Sequence, residues 1–142
     1  MNTKLFTNVV MVNSSADMVK KVLANPQQML QWVPEVSTVA KGDAGFTIKR
    51  NKTALNQSEF IQVESNNNQI IYTSTQGRLE YQLIFSLSEE NKSTVIQEEL
   101  YIPDTAGKHL PVQLLAPIAK HAFHTNLVNL ASLVEMLTAT EA

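Results

Sequence analysis

The stretch that decides the fold is Leu110–Leu137, LPVQLLAPIAKHAFHTNLVNLASLVEML. Within it Leu115, Ala119, Phe123, Leu127, Leu130, Val134 and Leu137 recur at spacings of three and four, which lays one apolar stripe along a helix. At 1.5 Å per residue that helix is roughly 40 Å long, so its stripe needs an extended apolar surface to pack on. Pro117 falls in the first turns and lacks the amide N–H that a helix interior uses, which predicts a kink or a broken start there.

The partner surface lies upstream. Segments near Val36–Ala40, Phe46–Lys52, Glu59–Glu64, Ile70–Thr75, Arg78–Leu87 and Thr94–Ile102 read as strands. Gly42-Asp43, Asn66-Asn67-Asn68, Gln76-Gly77 and Glu89-Glu90-Asn91-Lys92 separate them, residue types that accept tight backbone geometry. Connections this short predict antiparallel hairpins. Further upstream, Leu5–Val12 is rich in Val and Phe and reads as the first strand. Ser14, Ser15 and Asp17 favour a helix start, so a short helix through Met18, Val19, Val22 and Leu23 follows. Asn25-Pro26 ends it and opens a second, Gln27–Trp32, which Pro34 stops. The order is one strand, two short helices, six strands and one long helix: an α+β chain whose antiparallel sheet is covered by the C-terminal helix.

Length and composition narrow the function. The chain has 142 residues, the size of one domain spanning 1–142, with room for a core and an internal cavity. Hydrophobic residues make up 44% and charged residues 17%, the difference from average usage going to Asn, Gln, Ser and Thr. A net charge of -2 offers no basic stripe to neutralise phosphates, so nucleic acid is not an expected partner. The absence of cysteine excludes disulfides, thiolate zinc sites and thiol catalysis. The N-terminus has no secretory pattern and no run approaches a bilayer span, so a cytoplasmic location without integral membrane association is expected.

Taken with specific residues, this order resembles the START/Bet v 1-like (SRPBCC) superfamily, which includes polyketide cyclases and lipid-transfer proteins. The matching features are Asn13-Ser14-Ser15-Ala16-Asp17, Asn25-Pro26, Trp32-Val33-Pro34-Glu35-Val36, the closing strand Ser93-Thr94-Val95-Ile96 and the helix from Leu110, which together extend over nearly the whole chain. The resemblance implies a helix-grip fold, a curved seven-stranded antiparallel sheet holding the C-terminal helix, with a ligand-sized cavity between them. It also implies binding of a small hydrophobic or amphipathic ligand of lipid, isoprenoid or polyketide type, without a cofactor. Because members share architecture more than activity, two other readings stay open. One is a cyclase/dehydratase-type enzyme, and the other an interaction module of the co-chaperone type, acting on a protein partner or as a homodimer.

Alternation nominates the residues that would line such a cavity. Leu79, Tyr81, Leu83, Phe85 and Leu87 share one face of their strand, and the resemblance implies that Ile70 and Tyr72 face inward on theirs. Thr94, Ile96, Glu98, Leu100 and Ile102 share a face that should meet the helix, which places the Glu98 carboxyl on the concave side. A buried carboxyl is costly unless paired or protonated, so Glu98 reads as a ligand anchor, a general acid/base, or a structural partner of Arg50 or Tyr81. Arg50 follows Phe46 and Ile48 at spacing two and suits a carboxylate or phosphate at a cavity rim, or else a solvent-facing strand end. The resemblance places the two short helices at one end of the cavity, where Trp32 either walls the entrance or plugs the junction of helices and sheet. Leu115, Phe123, Leu127 and Leu130 face the sheet from the helix. His121 and His124 stand three apart, with His109 upstream, but no acid joins them to make a metal site, and none is expected.

Overall fold

A computed structural model describes residues 2–51, 56–108 and 111–141. Among these, the chain forms β1 (Asn2–Val12), α1 (Ala16–Leu23), a 3-10 turn at Pro26–Gln28, α2 (Met29–Trp32), β2 (Val36–Lys41), β3 (Phe46–Arg50), β4 (Ser58–Ser65), β5 (Gln69–Thr75), β6 (Tyr81–Glu90), β7 (Ser93–Pro103), a 3-10 turn at Asp104–Lys108, and α3 (Val112–Glu141). The strands make one seven-stranded antiparallel sheet in the order β1-β7-β6-β5-β4-β3-β2. Five of its six adjacent pairs join strands consecutive in sequence, while β1 closes the far edge against β7. The architecture is α+β and helix-grip, as the order of elements predicts.

Local chemistry accounts for the element ends. Ser15 caps α1 by accepting from the Met18 N–H at 3.2 Å, and the Glu89 carboxylate accepts from the Ala16 N–H at 2.7 Å. Asn25 caps the following turn, whose first residue is Pro26. The β1–α1 connection is tied to the far end of α3: Asn13 N–H donates to Glu135 at 2.9 Å, and Ser14 shares a 2.6 Å hydroxyl hydrogen bond with Thr138.

Three departures from the sequence expectation have a visible reason. First, β6 begins at Tyr81 rather than Arg78, because Leu79 exchanges its backbone bonds with the Asn56 side chain instead of a strand. Second, it runs on to Glu90, since Asn91 and Lys92 (φ 54° and 68°) make a two-residue hairpin turn in the left-handed region. Third, α3 is continuous from Val112 through Pro117, so the expected broken start is absent. A proline this early removes one hydrogen bond, to the carbonyl of the exposed Gln113, which water can satisfy. Leu110 and His109 lie outside the described residues, as does Lys52, where β3 was expected to end.

Ala119, Phe123, Leu127, Leu130 and Val134 of the stripe are buried against the sheet, while Leu115 and Leu137 are half-buried at its two ends. The opposing face presents Tyr72, Leu83, Phe85, Ile96 and Leu100, also buried. Leu130→Ala is expected to cost about 2–5 kcal/mol in urea denaturation by leaving a cavity at this seam. Val128→Ala, on the exposed side of the same helix, should stay within about 0.5 kcal/mol.

Candidate functional site

Where α2 and the middle of α3 meet the buried face of the sheet, the side chains leave a cavity of about 20 Å³, enough for about one water molecule. Met29, Trp32 and Val33 close it from the α2 side, Ile61, Tyr72 and Leu83 from the sheet, and Phe123 from α3. The Phe123 ring fixes that wall by packing at 5.3 Å on Phe6 and at 6.3 Å, edge-on, on Tyr81. Into this apolar shell project Glu35, Arg50, Asn56, Tyr81, Glu98 and Asn126.

Most of the polar lining belongs to one buried cluster around Glu59. In the antiparallel pair of β3 and β4, Ile48 lies opposite Glu59, so Arg50 is its diagonal neighbour on the same face. The Arg50 guanidinium forms a buried ion pair and hydrogen bond with Glu59 Oε1. Tyr81 donates to the same oxygen at 3.0 Å, while Ser74 and Asn56 donate to Oε2 at 2.6 and 3.0 Å. Burial alone would lower the Arg50 pKa, but Tyr81 and Glu59 outweigh it and hold the guanidinium charged. Burial, reinforced by the Glu59 charge, pushes the Tyr81 hydroxyl well above its usual range, so it remains a donor. Asn56 completes the cluster by clamping Leu79, accepting from its N–H and donating to its C=O, both at 2.7 Å. Gly77 is required beside it, since a Cβ there would lie 2.6 Å from the Asn56 amide.

Glu98 is buried in a different environment. The Asn8 amide donates to its Oε1 at 3.1 Å and also to the Lys120 carbonyl at 3.1 Å, bridging β7 to α3 through β1. Around it the lining is mainly apolar, and burial pushes its pKa up to about 8, only partly opposed by the Asn8 hydrogen bond. At neutral pH the group is therefore mostly a neutral acid whose O–H can donate a hydrogen bond. At the rim, Asn126 donates to Glu35 at 3.0 Å and ties α3 to the segment entering β2.

Of the residues nominated from sequence, the structure brings Trp32, Arg50, Tyr72, Tyr81, Leu83, Glu98 and Phe123 together around the cavity. Phe85, Ile96, Leu100, Leu127 and Leu130 are core packing behind it, and Leu115 sits half-buried toward the start of α3. The reading of Arg50 as a solvent-facing strand end is corrected: Glu59 draws it inward. The suggested pairing of Glu98 with Arg50 or Tyr81 is corrected too, because both are held by Glu59, and Asn8 is the partner of Glu98. Sequence reasoning missed Glu59, Asn56, Asn8, Glu35 and Asn126. Glu59 carried a usable signal, since it shares its strand face with Ile61 and Val63, the pattern that singled out Glu98. His121 and His124 are exposed on α3. Phe60, Ile71 and Ile84 are half-buried; larger exposed apolar side chains on β1 and β7 are Val9, Met11 and Val95.

The two carboxyls give opposite expectations. Glu59→Gln strands the Arg50 charge in the interior and should cost about 3–5 kcal/mol at pH 7. For Glu98, the unfolded chain releases its proton near pH 4.5 and the folded chain near 8, so its contribution lowers stability as pH rises between those values and is constant outside them. Glu98→Gln should match the wild type near pH 5 and exceed it at pH 8 by up to about 4 kcal/mol, read from urea melts at both pH values.

No family model and no curated protein matches this chain. Solved structures do. A START superfamily protein from Mycobacterium smegmatis superposes with a TM-score of 0.73 at 20% identity, covering 93% of this chain and 97% of its own. The di-domain ARO/CYC StfQ from the steffimycin biosynthetic pathway gives 0.74 at 12% identity, covering 98% of this chain. The di-domain ARO/CYC BexL from the BE-7585A biosynthetic pathway gives 0.68 at 17%, covering 94%. This chain spans about half the length of each di-domain protein, 52% and 49%. At these identities the likeness concerns architecture, and this chain has the START/Bet v 1-like fold.

Proposed function

We propose that this protein binds a small apolar or amphipathic molecule, of lipid, isoprenoid or polyketide character, between the buried sheet face and α3. The observation that carries the reading is Glu98, a carboxyl 1% exposed that lines an apolar cavity with one amide as its partner. Packing does not call for a carboxyl at that position, where an apolar side chain would be cheaper. A ligand with one polar end and an apolar body would use both the acid and the walls. The enclosed space is small, so binding requires the walls to part, and the Glu35–Asn126 hydrogen bond between α3 and the start of β2 is the tie to be released. Both of its partners line the cavity.

A second reading, an enzyme of the cyclase/dehydratase kind, is favoured by the same residue: an acid with its pKa near 8 suits proton transfer close to neutral pH. Such an enzyme needs a second reacting group, and Tyr81, the other nominee, is committed to Glu59. Binding without turnover is therefore the preferred function.

The test is extraction. Protein purified without detergent is denatured in organic solvent, and released compounds are identified by mass spectrometry against an unrelated protein from the same host. One apolar compound near one equivalent per chain is the expected result, with stabilisation of Glu98→Gln by that compound surviving. Loss of its conversion in Glu98→Gln would instead support the enzyme. No released compound, together with no thermal stabilisation by fatty acid, isoprenoid and aromatic ketone probes, would contradict both.

A further inference from the structure

We infer that the molecule bound in the cavity is recognised through a neutral oxygen acceptor, a ketone, ester or amide carbonyl, held between the Trp32 indole N–H and the Arg50 Nε–H. This deepens the ligand-binding reading above and rests on it. Both residues line the cavity, Trp32 at 3% exposure and Arg50 at 8%, and neither Trp32 Nε1 nor Arg50 Nε has a hydrogen-bond partner among the described residues. These atoms are donors in every protonation state they adopt in a protein, so their polarity carries no ambiguity of proton placement. Buried donors left unpaired are costly, and interiors rarely leave two in one cavity.

Both oxygens of the Glu59 carboxylate are already taken. Glu59 Oε1 accepts from Arg50 and Tyr81, and Oε2 accepts from Asn56 and Ser74, two donors to each oxygen. Glu98 Oε1 is occupied by Asn8, and Glu35 Oε2 by Asn126. The cavity thus offers spare donors, to which the largely protonated Glu98 adds another near neutral pH. An ammonium-bearing ligand would meet the Arg50 charge. A carboxylate would bring an unbalanced negative charge, because Glu59 already neutralises Arg50. A carbonyl oxygen has two lone-pair directions, accepts from both donors at once, and adds no net charge.

Trp32 is the one tryptophan in the sequence, so the labelled protein yields a single indole N–H resonance that reports on this position. The experiment titrates the full chain at pH 7 with three probes of similar shape: acetophenone, ethylbenzene and 1-phenylethylamine. Acetophenone is expected to move the indole proton downfield along a saturable curve and to bind about 5–10-fold tighter than ethylbenzene, the gain from one to two hydrogen bonds. Trp32→Phe should reduce the ratio of acetophenone to ethylbenzene affinity several-fold. The wild-type indole shift decides the matter independently if that variant does not fold. Equal affinity for ethylbenzene and acetophenone, or tighter binding of the amine, would overturn carbonyl recognition while leaving the cavity a ligand site. Binding of none of the three would overturn the ligand-site reading and this inference with it.

Discussion

The Arg50–Glu59 ion pair is the constraint on which the interior depends. Two charges inside a domain are tolerated when further hydrogen bonds support the pair, and here the carboxylate receives donors from Arg50, Tyr81, Asn56 and Ser74. Those partners come from β3, β5, the start of β6 and the segment before β4, so one polar cluster fixes four separate parts of the chain. Its demands extend outward. Asn56 reaches Glu59 because Gly77 leaves it space, and while there it replaces a strand partner for Leu79, which sets where β6 begins.

The same cluster defines what the neighbouring cavity can do. By engaging Tyr81 and both Glu59 oxygens it removes them from reach of a bound molecule, and by holding one terminal nitrogen of Arg50 it leaves the Nε–H over. Glu98, a strand away, lies in mainly apolar surroundings with Asn8 and stays largely protonated at neutral pH. Two buried glutamates in one domain thus play different parts. Glu59 is a charge held in place by the cationic Arg50, and Glu98 is a neutral acid left facing the cavity.

The fold was legible in the sequence because its signals are periodic and local. The Leu115–Leu137 stripe, the alternation in Thr94–Ile102 and the turn residues each report on their own segment, and α3 and β7 lie close to where they were expected. Ends were less legible where they depend on distant atoms, as the start of β6 depends on the Asn56 side chain. The site was readable to the extent that a polar residue interrupted an apolar face. That pattern exposed Glu98 and was equally present at Glu59. Asn8, Glu35 and Asn126 act through pairings between β1, the β2 approach and α3, which are long-range contacts that no local pattern encodes.

The most direct measurement of the account is the titration of the Glu98 side-chain carboxyl by 13C NMR, assigned by comparison with Glu98→Gln. The claim that a neutral acid faces an apolar cavity requires a midpoint near 8. A midpoint near 4.5 would mean that water reaches the carboxyl freely or that a cation neutralises it, and the cavity described here would not be the enclosed site from which its function is argued.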